Sequence, residues 1–479
     1  MIPVVDRPAP PNARLRAGRE SILDVDASVR QLAAAAEWPY LAELAGGFRG
    51  SRENVTIQTA LVLTRYAIRL CALALVACRS DAAAPTLSLS PVPPGPIMEQ
   101  VRAVVARDSA RWVGFRRDLH RHPELSGAEV ETSRKVTAEL RRLGFEVRTN
   151  VGGYGVVGVL RGALPGPLVA YRADMDAFPS TASDPVEFAS EKPGVRHICG
   201  HDIHTTVGLA LANAMHQVRD SLAGSVMFVF QPAEERATGA RAMLAAGVFA
   251  SEKPTEIYGL HTTSFEVGRV ATAIGTLMAG IDYFDVSVLG SGNLSAAAET
   301  VRQRILALST VDESKSGTTQ PMDFVMIHID PPQQSTNRMR LVGYVSVGDP
   351  AARARVAAVI RSGLGESLPA GVTVSASYTE KGIAGVTNDS ALTVAAAAAG
   401  RAELGEPLIK VTALAAGRSE DFGSFQEQLP GVFFFLGVSN TARGWNGFPH
   451  APDYVADERS INVGTRTMAA VIVERLRVG

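Results

Sequence analysis

TVGLALANAMHQVRDSLAGSVMFVFQPAEE, residues 206–235, joins a helix pattern to a strand pattern through a short polar turn. Its first part, TVGLALANAMHQV, predicts a helix, and GSVMFVFQP is an apolar run of strand length that is rich in valine and phenylalanine. The strand pattern ends in polar residues, among them the adjacent glutamates Glu234 and Glu235. A helix followed by a strand with polar groups at its end is typical of a layered α/β domain.

The same alternation of helices and strands continues on both sides of this segment. Helical spacing of apolar residues marks SARWVGFRRDLHRHPEL and AEVETSRKVTAELRRLGF, and further apolar runs of strand length are VVGVLRG, PLVAYRADMD, EIYGLHT and GVFFFLGV. Alternating strands and helices predict an α/β domain with a mostly parallel sheet flanked by helices. We assign residues 98–280 and 388–479 to this domain.

Residues 281–387 follow a different pattern and predict a smaller α+β domain inserted into the first one. YFDVSVLG, DFVMIHID and RLVGYVSVG alternate apolar with polar residues, which predicts a sheet that is exposed on one face. ARARVAAVIRSGL has the spacing of an amphipathic helix, and the pattern of the larger domain resumes at ALTVAAAAAGRAELG. We refer to residues 281–387 as the inserted domain.

A lipoprotein-type secretion signal is predicted over residues 61–78. Two arginines precede an apolar run that ends at Cys78, and this run is too short to span a bilayer. LVAC, residues 75–78, resembles a bacterial lipobox, which implies lipidation of Cys78 and a location in the cell envelope, lipid-anchored or periplasmic. Residues 1–60 would then be a mis-called or disordered extension and residues 79–97 a linker. Alternatively the run is a short buried helix, the signal is unused and the protein is cytoplasmic.

The overall charge narrows the range of partners. The formal net charge is −1, whereas binding to nucleic acid or to an anionic membrane surface calls for a basic excess. We therefore expect no nucleic-acid partner, and membrane attachment only through a lipid anchor.

HICGHDIHTT, residues 197–206, holds three of the nine histidines and one of the three cysteines of the chain. Thiolate, imidazole and carboxylate groups together suit zinc or a similar divalent metal. The candidate ligands lie at predicted strand ends or in nearby loops: Cys199, His201, Glu235, His261 and His450. Five ligands exceed what one catalytic zinc binds, whereas two metals that share a bridging ligand would use all of them.

Each candidate ligand also has a purely structural interpretation. Cys199 taken alone would be a small core residue, and His261 a structural histidine at a strand end. Glu234 and Glu235 could belong to a solvated loop, and His450 could cap a turn beside the prolines of FPHAPDY. The metal-site hypothesis therefore depends on the joint placement of these residues.

Seven motifs in order resemble those of metal-dependent amidohydrolases of the hippurate hydrolase and indoleacetyl-amino-acid hydrolase type, within the aminoacylase-related metallopeptidase superfamily. They are RRDLHRHPELSGAEVET, YRADMDAFP, HICGHDIHTT, QPAEERATGA, GLHTTS, RSEDFGSF and FPHAPDYVADE. The resemblance covers residues 110–475 except for much of the inserted domain, and CGHDxH followed by PAEE is its most specific part.

The resemblance implies a two-metal enzyme. Cys199 would bridge two divalent metal ions, zinc or manganese, with the other four candidates completing their coordination. Glu234 corresponds to the general base, which takes a proton from water and returns it to the leaving nitrogen of an amide. Asp176 would orient a ligand histidine, and Asp202 and His204 would support the site without binding metal. The implied substrate is an N-acyl amino acid or a related small amide, and a homodimer could form through the inserted domain.

The inserted domain departs from the family pattern. GSGNLSAA, residues 290–297, has Leu294 where the family carries a histidine, and Ser346 stands where it carries an arginine. Asn337 matches the family's asparagine, and we expect Asn337 and Arg338 to contact substrate. The departures leave open a metal-containing binding lipoprotein with little turnover. A peptidase that acts on short peptides is a further alternative, because an amide bond alone does not separate these substrates.

Overall fold

The computed structural model describes residues 95–291 and 293–477. The predicted extension, the predicted signal with Cys78 and most of the predicted linker lie outside the described residues. The linker was predicted to reach residue 97, but a helix already begins at Pro96, because proline fits the first turn of a helix, where its missing N–H is not needed. The lipid anchor and the homodimer stay predictions from the sequence.

A central sheet of eight strands organises the larger part of the described chain, in the spatial order β1-β2-β6-β3-β7-β19-β8-β17. The strands at its centre, β6, β3, β7 and β19, are mutually parallel, and antiparallel pairs occur towards its edges. The strands in chain order are β1 Glu146–Arg148, β2 Val156–Arg161, β3 Leu164–Asp174, β6 Ala223–Gln231, β7 Glu256–Glu266, β8 Val270–Thr272, β17 Ile409–Lys410 and β19 Gly431–Ser439. The prediction of a mostly parallel sheet in an α/β fold is confirmed.

Helices cover both faces of this sheet. One core contains residues of α1, α2, α3, α7 and α9, and a second core on the other face contains residues of α4 and α8. The helices of the described chain are α1 Pro96–Arg121, α2 Val130–Arg142, α3 His201–Gln217, α4 Gly239–Ala245, α5 Leu294–Leu306, α6 Pro350–Ala358, α7 Ser390–Leu404, α8 Gly423–Gln426 and α9 Arg459–Arg477. None of these helices combines the length and the apolar character that a membrane span needs.

The apolar runs of the sequence form the centre of the sheet because side chains of a strand alternate between its two faces. In β6, Val226 and Phe228 pack into the core with α3, whereas Met227 and Val229 pack into the opposite core. All four side chains are essentially inaccessible to solvent. A strand that is buried on both faces needs apolar residues at successive positions, and GSVMFVFQP provides them.

A second, antiparallel sheet lies in the part of the chain that was predicted as the inserted domain. Its strand order is β12-β14-β10-β15, with β13 paired to β14. These strands are β10 Gly280–Gly290, β12 Val325–Ile329, β13 Gln333–Ser335, β14 Arg338–Val347 and β15 Val372–Ile383. Phe284, Val286 and Val288 of β10 face a core that includes residues of α5 and α6. Helix α6 continues as one wider, π-helical turn over Val359–Gly363.

Three short strand pairs complete the described structure. The pair β11–β18 joins the inserted domain to the segment after α7, and β9–β16 lies where the chain enters and leaves the inserted domain. Their bounds are β4 Phe178–Pro179 with β5 Val195–Arg196, β9 Gly275–Met278 with β16 Val386–Asn388, and β11 Thr319–Gln320 with β18 Leu414–Ala415. The predicted limits of the inserted domain, 281 and 387, fall in β10 and β16.

Helix α3 begins earlier than the sequence pattern indicates. We predicted it from Thr206, after the HDIH segment, but the structure starts it at His201, so that HDIH forms its first turn. Gly200 before it has φ 88°, a left-handed conformation that glycine adopts without a steric penalty. A Cβ at this position would lie 2.4 Å from both the Thr262 Oγ1 and the Tyr454 hydroxyl oxygen. The glycine therefore brings the chain close to β7 as the helix begins.

Candidate metal centre

The carboxyl ends of the central parallel strands bring the predicted site residues together. Asp176 follows β3, Glu234 and Glu235 follow β6, and His261 lies within β7. In open α/β sheets, ligands bind outside these strand ends. The first turn of α3 contributes His201, with Cys199 just before the helix, and the loop after β19 contributes His450.

All five predicted metal ligands lie in one cluster. The Cys199 sulfur is 3.3 Å from His261 Nε2, and His450 Nε2 is 3.1 Å from Glu235 Oε1. Ligand atoms of Cys199, His201 and His261 lie within 4.8 Å of one another, and so do those of Cys199, Glu235 and His450. Cys199 thus belongs to two groups of donors, which is the arrangement that a bridging thiolate requires.

His201 directs its Nε2 atom to the centre of the cluster. Its Nδ1–H donates to Asp176 Oδ1 at 3.2 Å, which leaves Nε2 without a proton in the neutral ring. Nε2 is buried and has no hydrogen-bond partner in the described part of the chain. Its neighbours are carboxylate oxygens of Glu234 at 3.7 Å and of Glu235 at 3.9 Å. Only a cation or a proton can relieve the repulsion among these acceptors.

His261 is fixed in the matching tautomer. Its Nδ1 lies 2.7 Å from the carbonyl oxygen of Thr262, which can only accept, so Nδ1 carries the proton. The lone pair of Nε2 then faces the Cys199 sulfur. The Nε2 atoms of two histidines, next to a sulfur and two carboxylates, form a donor set that suits divalent metal ions.

The electrostatics of the cluster favour added positive charge. Burial disfavours a charged His201 imidazole, but the carboxylates of Asp174 and Asp176 outweigh burial and raise its pKa to about 10. Burial together with Glu235 and Glu234 raises the pKa of the Cys199 thiol well above its usual range. Burial together with Glu420 and Glu235 also raises the pKa of Glu234. Divalent cations among these groups would oppose these upward pKa shifts and stabilise the thiolate and the carboxylates.

Asp176 orients two of the candidate ligands. One of its oxygens accepts from His201, and the other accepts from the Ser126 hydroxyl at 2.6 Å and from the backbone N–H of Glu235 at 3.0 Å. Asp176 is entirely buried. This geometry agrees with the orienting role that the family resemblance implied.

His204 and Asp202 lie beside the cluster with their polar atoms already paired. His204 Nδ1–H donates to Asp174 Oδ1 at 2.6 Å, and His204 Nε2 accepts the Thr262 N–H at 2.8 Å. Asp202 forms an ion pair with Arg116 at 2.7 Å and contacts His120 Nδ1 at 2.7 Å. Both ring nitrogens of His204 are therefore hydrogen-bonded, in contrast to Nε2 of His201.

The remaining histidines of the larger domain lie outside the cluster. His120 is buried between Asp202 and Asp184, and His197 is buried with neither ring nitrogen hydrogen-bonded within residues 95–291 and 293–477. His122 and His216 are partly exposed. These four histidines are therefore not candidates for the metal centre.

The residues predicted for the inserted domain do not contact the cluster through any hydrogen bond or ion pair of the described chain. The backbone carbonyl of Asn337 accepts from Gly290 N–H, and Arg338 contacts Ser287 Oγ at 2.9 Å. Leu294 begins α5 and is buried in the core of the inserted domain. Substrate binding by Asn337 and Arg338 therefore stays a prediction.

A buried network around Arg172 has no counterpart in the site predicted from the sequence. Its guanidinium contacts Asp174 at 2.7 Å, Glu420 at 2.8 Å, Asp421 at 3.2 Å and the Gln231 side-chain oxygen at 2.8 Å. Carboxylate oxygens of Glu420, Asp421 and Glu234 approach within 4.8 Å of one another. The sequence contains a signal for this network, because Arg172 lies inside the apolar run PLVAYRADMD and a buried charge requires partners.

Replacing Asp176 by asparagine is expected to weaken metal binding about 10- to 100-fold, because partners of this kind fix the orientation of metal ligands. Competition with a chromophoric chelator measures the affinity. Asp220→Asn is the matched control, since the Asp220 side chain is 89% exposed and lies outside the cluster. Equal metal affinity of the two variants would show that Asp176 does not contribute to metal binding.

Comparisons with known proteins agree with this geometry. Residues 170–474 match the model of the Peptidase family M20/M25/M40. The N-acetylcysteine deacetylase of Bacillus subtilis is 31% identical over 77% of this chain and 98% of its own length. The IAA-amino acid hydrolase ILR1-like 4 of Arabidopsis thaliana is 32% identical over 76% of this chain and 85% of its own.

A solved structure shows the same relationship. The YXEP protein of Bacillus subtilis, described as a dinuclear metal binding peptidase from the M20 family, superposes with a TM-score of 0.66. It is 30% identical, and the match covers 78% of this chain and 99% of that chain. These comparisons confirm the resemblance that the seven motifs carry.

Proposed function

Because the chain belongs to the peptidase family M20/M25/M40, we propose that it is a two-metal hydrolase that cleaves the amide bond of N-acyl amino acids or related small amides. The observation that carries this proposal is the position of Cys199, whose sulfur belongs to two separate groups of buried metal donors. We further propose that the native metal is zinc or manganese, because the donors combine sulfur, nitrogen and oxygen atoms.

Two bound cations would polarise the scissile carbonyl and make a water acidic enough to react at neutral pH. Cys199, His201, Glu235, His261 and His450 would hold them. Glu234 would accept the proton of the attacking water and then deliver it to the leaving nitrogen. Its side chain supports this role, since it is largely buried and its Oε2 lies 3.7 Å from His201 Nε2. Asp176 would hold the His201 ring and the Glu235 backbone in position during the proton transfer.

The proposed substrate class is based on the compounds after which the relatives are named. The N-acetylcysteine deacetylase and the IAA-amino acid hydrolase are named for substrates in which an acyl group is joined to an amino acid. The solved relative is named a peptidase, so action on short peptides is the alternative that the comparisons also support. The two activities share one chemistry, because both break an amide bond next to an amino-acid residue.

Purified protein is expected to contain about two divalent metal ions per chain and to lose its activity on metal removal. Elemental analysis measures the metal content. A panel of N-acetyl, N-benzoyl and N-indoleacetyl amino acids, assayed beside dipeptides, identifies the substrate class. Chelation should abolish hydrolysis, and added zinc or manganese should restore it.

The results separate the alternatives. Faster hydrolysis of the acyl amino acids supports the proposed function, and faster hydrolysis of the dipeptides supports the peptidase. Two bound metals without turnover of any compound would support a binding protein, which the position of Glu234 argues against.

A further inference from the structure

A second arginine reaches the metal cluster, and it differs from Arg172 in its partners. Arg418 Nη1 lies 3.2 Å from His450 Nδ1, and its guanidinium lies 5.9 Å from the centre of the Phe448 ring. Arg172 is fully buried and forms ion pairs with three carboxylates, whereas Arg418 is partly exposed. Within the described ranges Arg418 has no ion pair with a carboxylate. Its positive charge at the edge of the cluster is therefore available to an anion.

The backbone that carries Arg418 is fixed by the inserted domain. Ser346 Oγ accepts the N–H of Gly417 at 3.1 Å, and Ser346 is completely buried. On the other side of the same loop, Ala416 exchanges backbone hydrogen bonds with Gly317 and Thr318 at 2.8 and 3.1 Å. The loop is thus held on both sides, which fixes the point from which the Arg418 side chain extends.

The remaining edge of the guanidinium is bordered by glycine. A Cβ placed on Gly317 would be in ordinary van der Waals contact, at 3.6 Å, with both Nε and Nη2 of Arg418, so Gly317 lies beside this edge without a side chain that could pair with it. Nε and Nη2 together form the planar fork that binds a carboxylate through two parallel hydrogen bonds. The neighbouring Ser419 hydroxyl is buried and without a hydrogen-bond partner in the part of the chain that the structure describes.

The contact between Arg418 and His450 holds only for one form of the imidazole. Arginine can only donate, so His450 Nδ1 accepts here, and Nε2–H donates to Glu235 Oε1. This is the only side-chain hydrogen bond of Arg418 among the described residues. The other N–H groups of the guanidinium can therefore donate to an anionic group of a bound substrate.

We propose that Arg418 binds the carboxylate of the amino-acid part of the substrate and thereby selects N-acyl amino acids over uncharged amides. This inference rests on the proposed function. In an N-acyl amino acid the carboxylate is attached to the carbon next to the scissile nitrogen, so it must lie beside the site where the amide is cleaved. Arg418 places a cation at that position, in contact with a candidate metal ligand.

The test compares acids with their carboxamides, which differ only in the charged group. The probes are N-acetyl-L-methionine with N-acetyl-L-methioninamide, and N-benzoylglycine with N-benzoylglycinamide. Binding is measured by calorimetry in the metal-loaded Glu234→Gln background, where turnover does not interfere, and KM and kcat are measured with Glu234 present. Metal content is determined for every variant.

Arg418→Gln is expected to weaken binding of the acids about 10- to 100-fold, which corresponds to the loss of a hydrogen bond to a charged group. Binding of the carboxamides and the metal content should not change, and Arg418→Lys should restore part of the affinity for the acids. Arg443→Gln is the matched control, because Arg443 is exposed and its guanidinium lies over Trp445.

The inference is overturned if Arg418→Gln weakens binding of acids and carboxamides equally, or changes the binding of neither. It is also overturned if the unsubstituted site binds acids and carboxamides with equal affinity. Failure of the proposed function is a different result, namely no hydrolysis of any acyl amino acid by the unsubstituted enzyme. Failure of this inference alone leaves the hydrolysis of acyl amino acids by the unsubstituted enzyme intact.

Discussion

Replacing Glu234 by glutamine is expected to lower kcat about 10²- to 10⁴-fold, the range that a positioned general base contributes. Glutamine keeps the size of the side chain but cannot accept and return a proton. The five predicted ligands are unchanged, so the variant should still bind two metal ions. Steady-state kinetics on the best substrate of the panel, with elemental analysis of the same preparation, measures both quantities.

Glu366→Gln is the matched control for this substitution, because it makes the same chemical change at an exposed glutamate of the inserted domain. Its kcat should equal that of the unsubstituted enzyme. If Glu234→Gln retained full activity, another group would have to be the base. If it lost its metals, the effect on kcat would say nothing about proton transfer, and Glu234 would be assigned to metal binding.

Replacing Arg172 by methionine is expected to destabilise the fold by about 3–5 kcal/mol, the cost of removing one partner from a buried ion pair. The change leaves Asp174, Glu420 and Asp421 close together without their shared cation. Burial and Glu420 already raise the pKa of Asp421 to about 7 against the effect of Arg172. Denaturant unfolding monitored by tryptophan fluorescence measures the loss.

Arg161→Met provides the comparison. Arg161 pairs with Glu146 and Glu252 at the surface, and its side chain is 44% exposed. Exposed pairs of this kind contribute about 0–1 kcal/mol. The triple variant Arg172→Met, Glu420→Gln, Asp421→Asn should recover part of the stability, since fewer carboxylates remain unpaired. Equal losses for Arg172→Met and Arg161→Met would contradict the interpretation of the Arg172 network as a buried structural centre.

The order of layers in the fold could be predicted from local patterns. Apolar runs such as GSVMFVFQP form strands that are buried on both faces, and the alternating runs near YFDVSVLG form the second sheet. The start of α3 could not be predicted, because Gly200 must adopt a left-handed turn that depends on Thr262 and Tyr454, both distant in sequence. HDIH therefore lies in the helix instead of before it.

The residues of the site could be predicted from the sequence, but the contacts among them could not. Residue chemistry and motif order pointed to Cys199, His201, Glu235, His261 and His450, and the structure brings all five together. Asn337 and Arg338 were proposed by the same reasoning, but the structure gives them no contact with the cluster among the described hydrogen bonds and ion pairs.

The sequence by itself determined the alternation of strands and helices, the inserted position of the second sheet and the types of donor atoms, because each depends on the side chains of one short segment. Only the tertiary structure decided which atoms meet. Arg172 contacts Glu420 and Asp421, which are 248 and 249 residues away in the sequence. Arg418 contacts His450 from a loop that is hydrogen-bonded to the inserted domain. The physical reason is that burial makes an unpaired charge costly, and its partner is chosen by how the layers pack rather than by position along the chain.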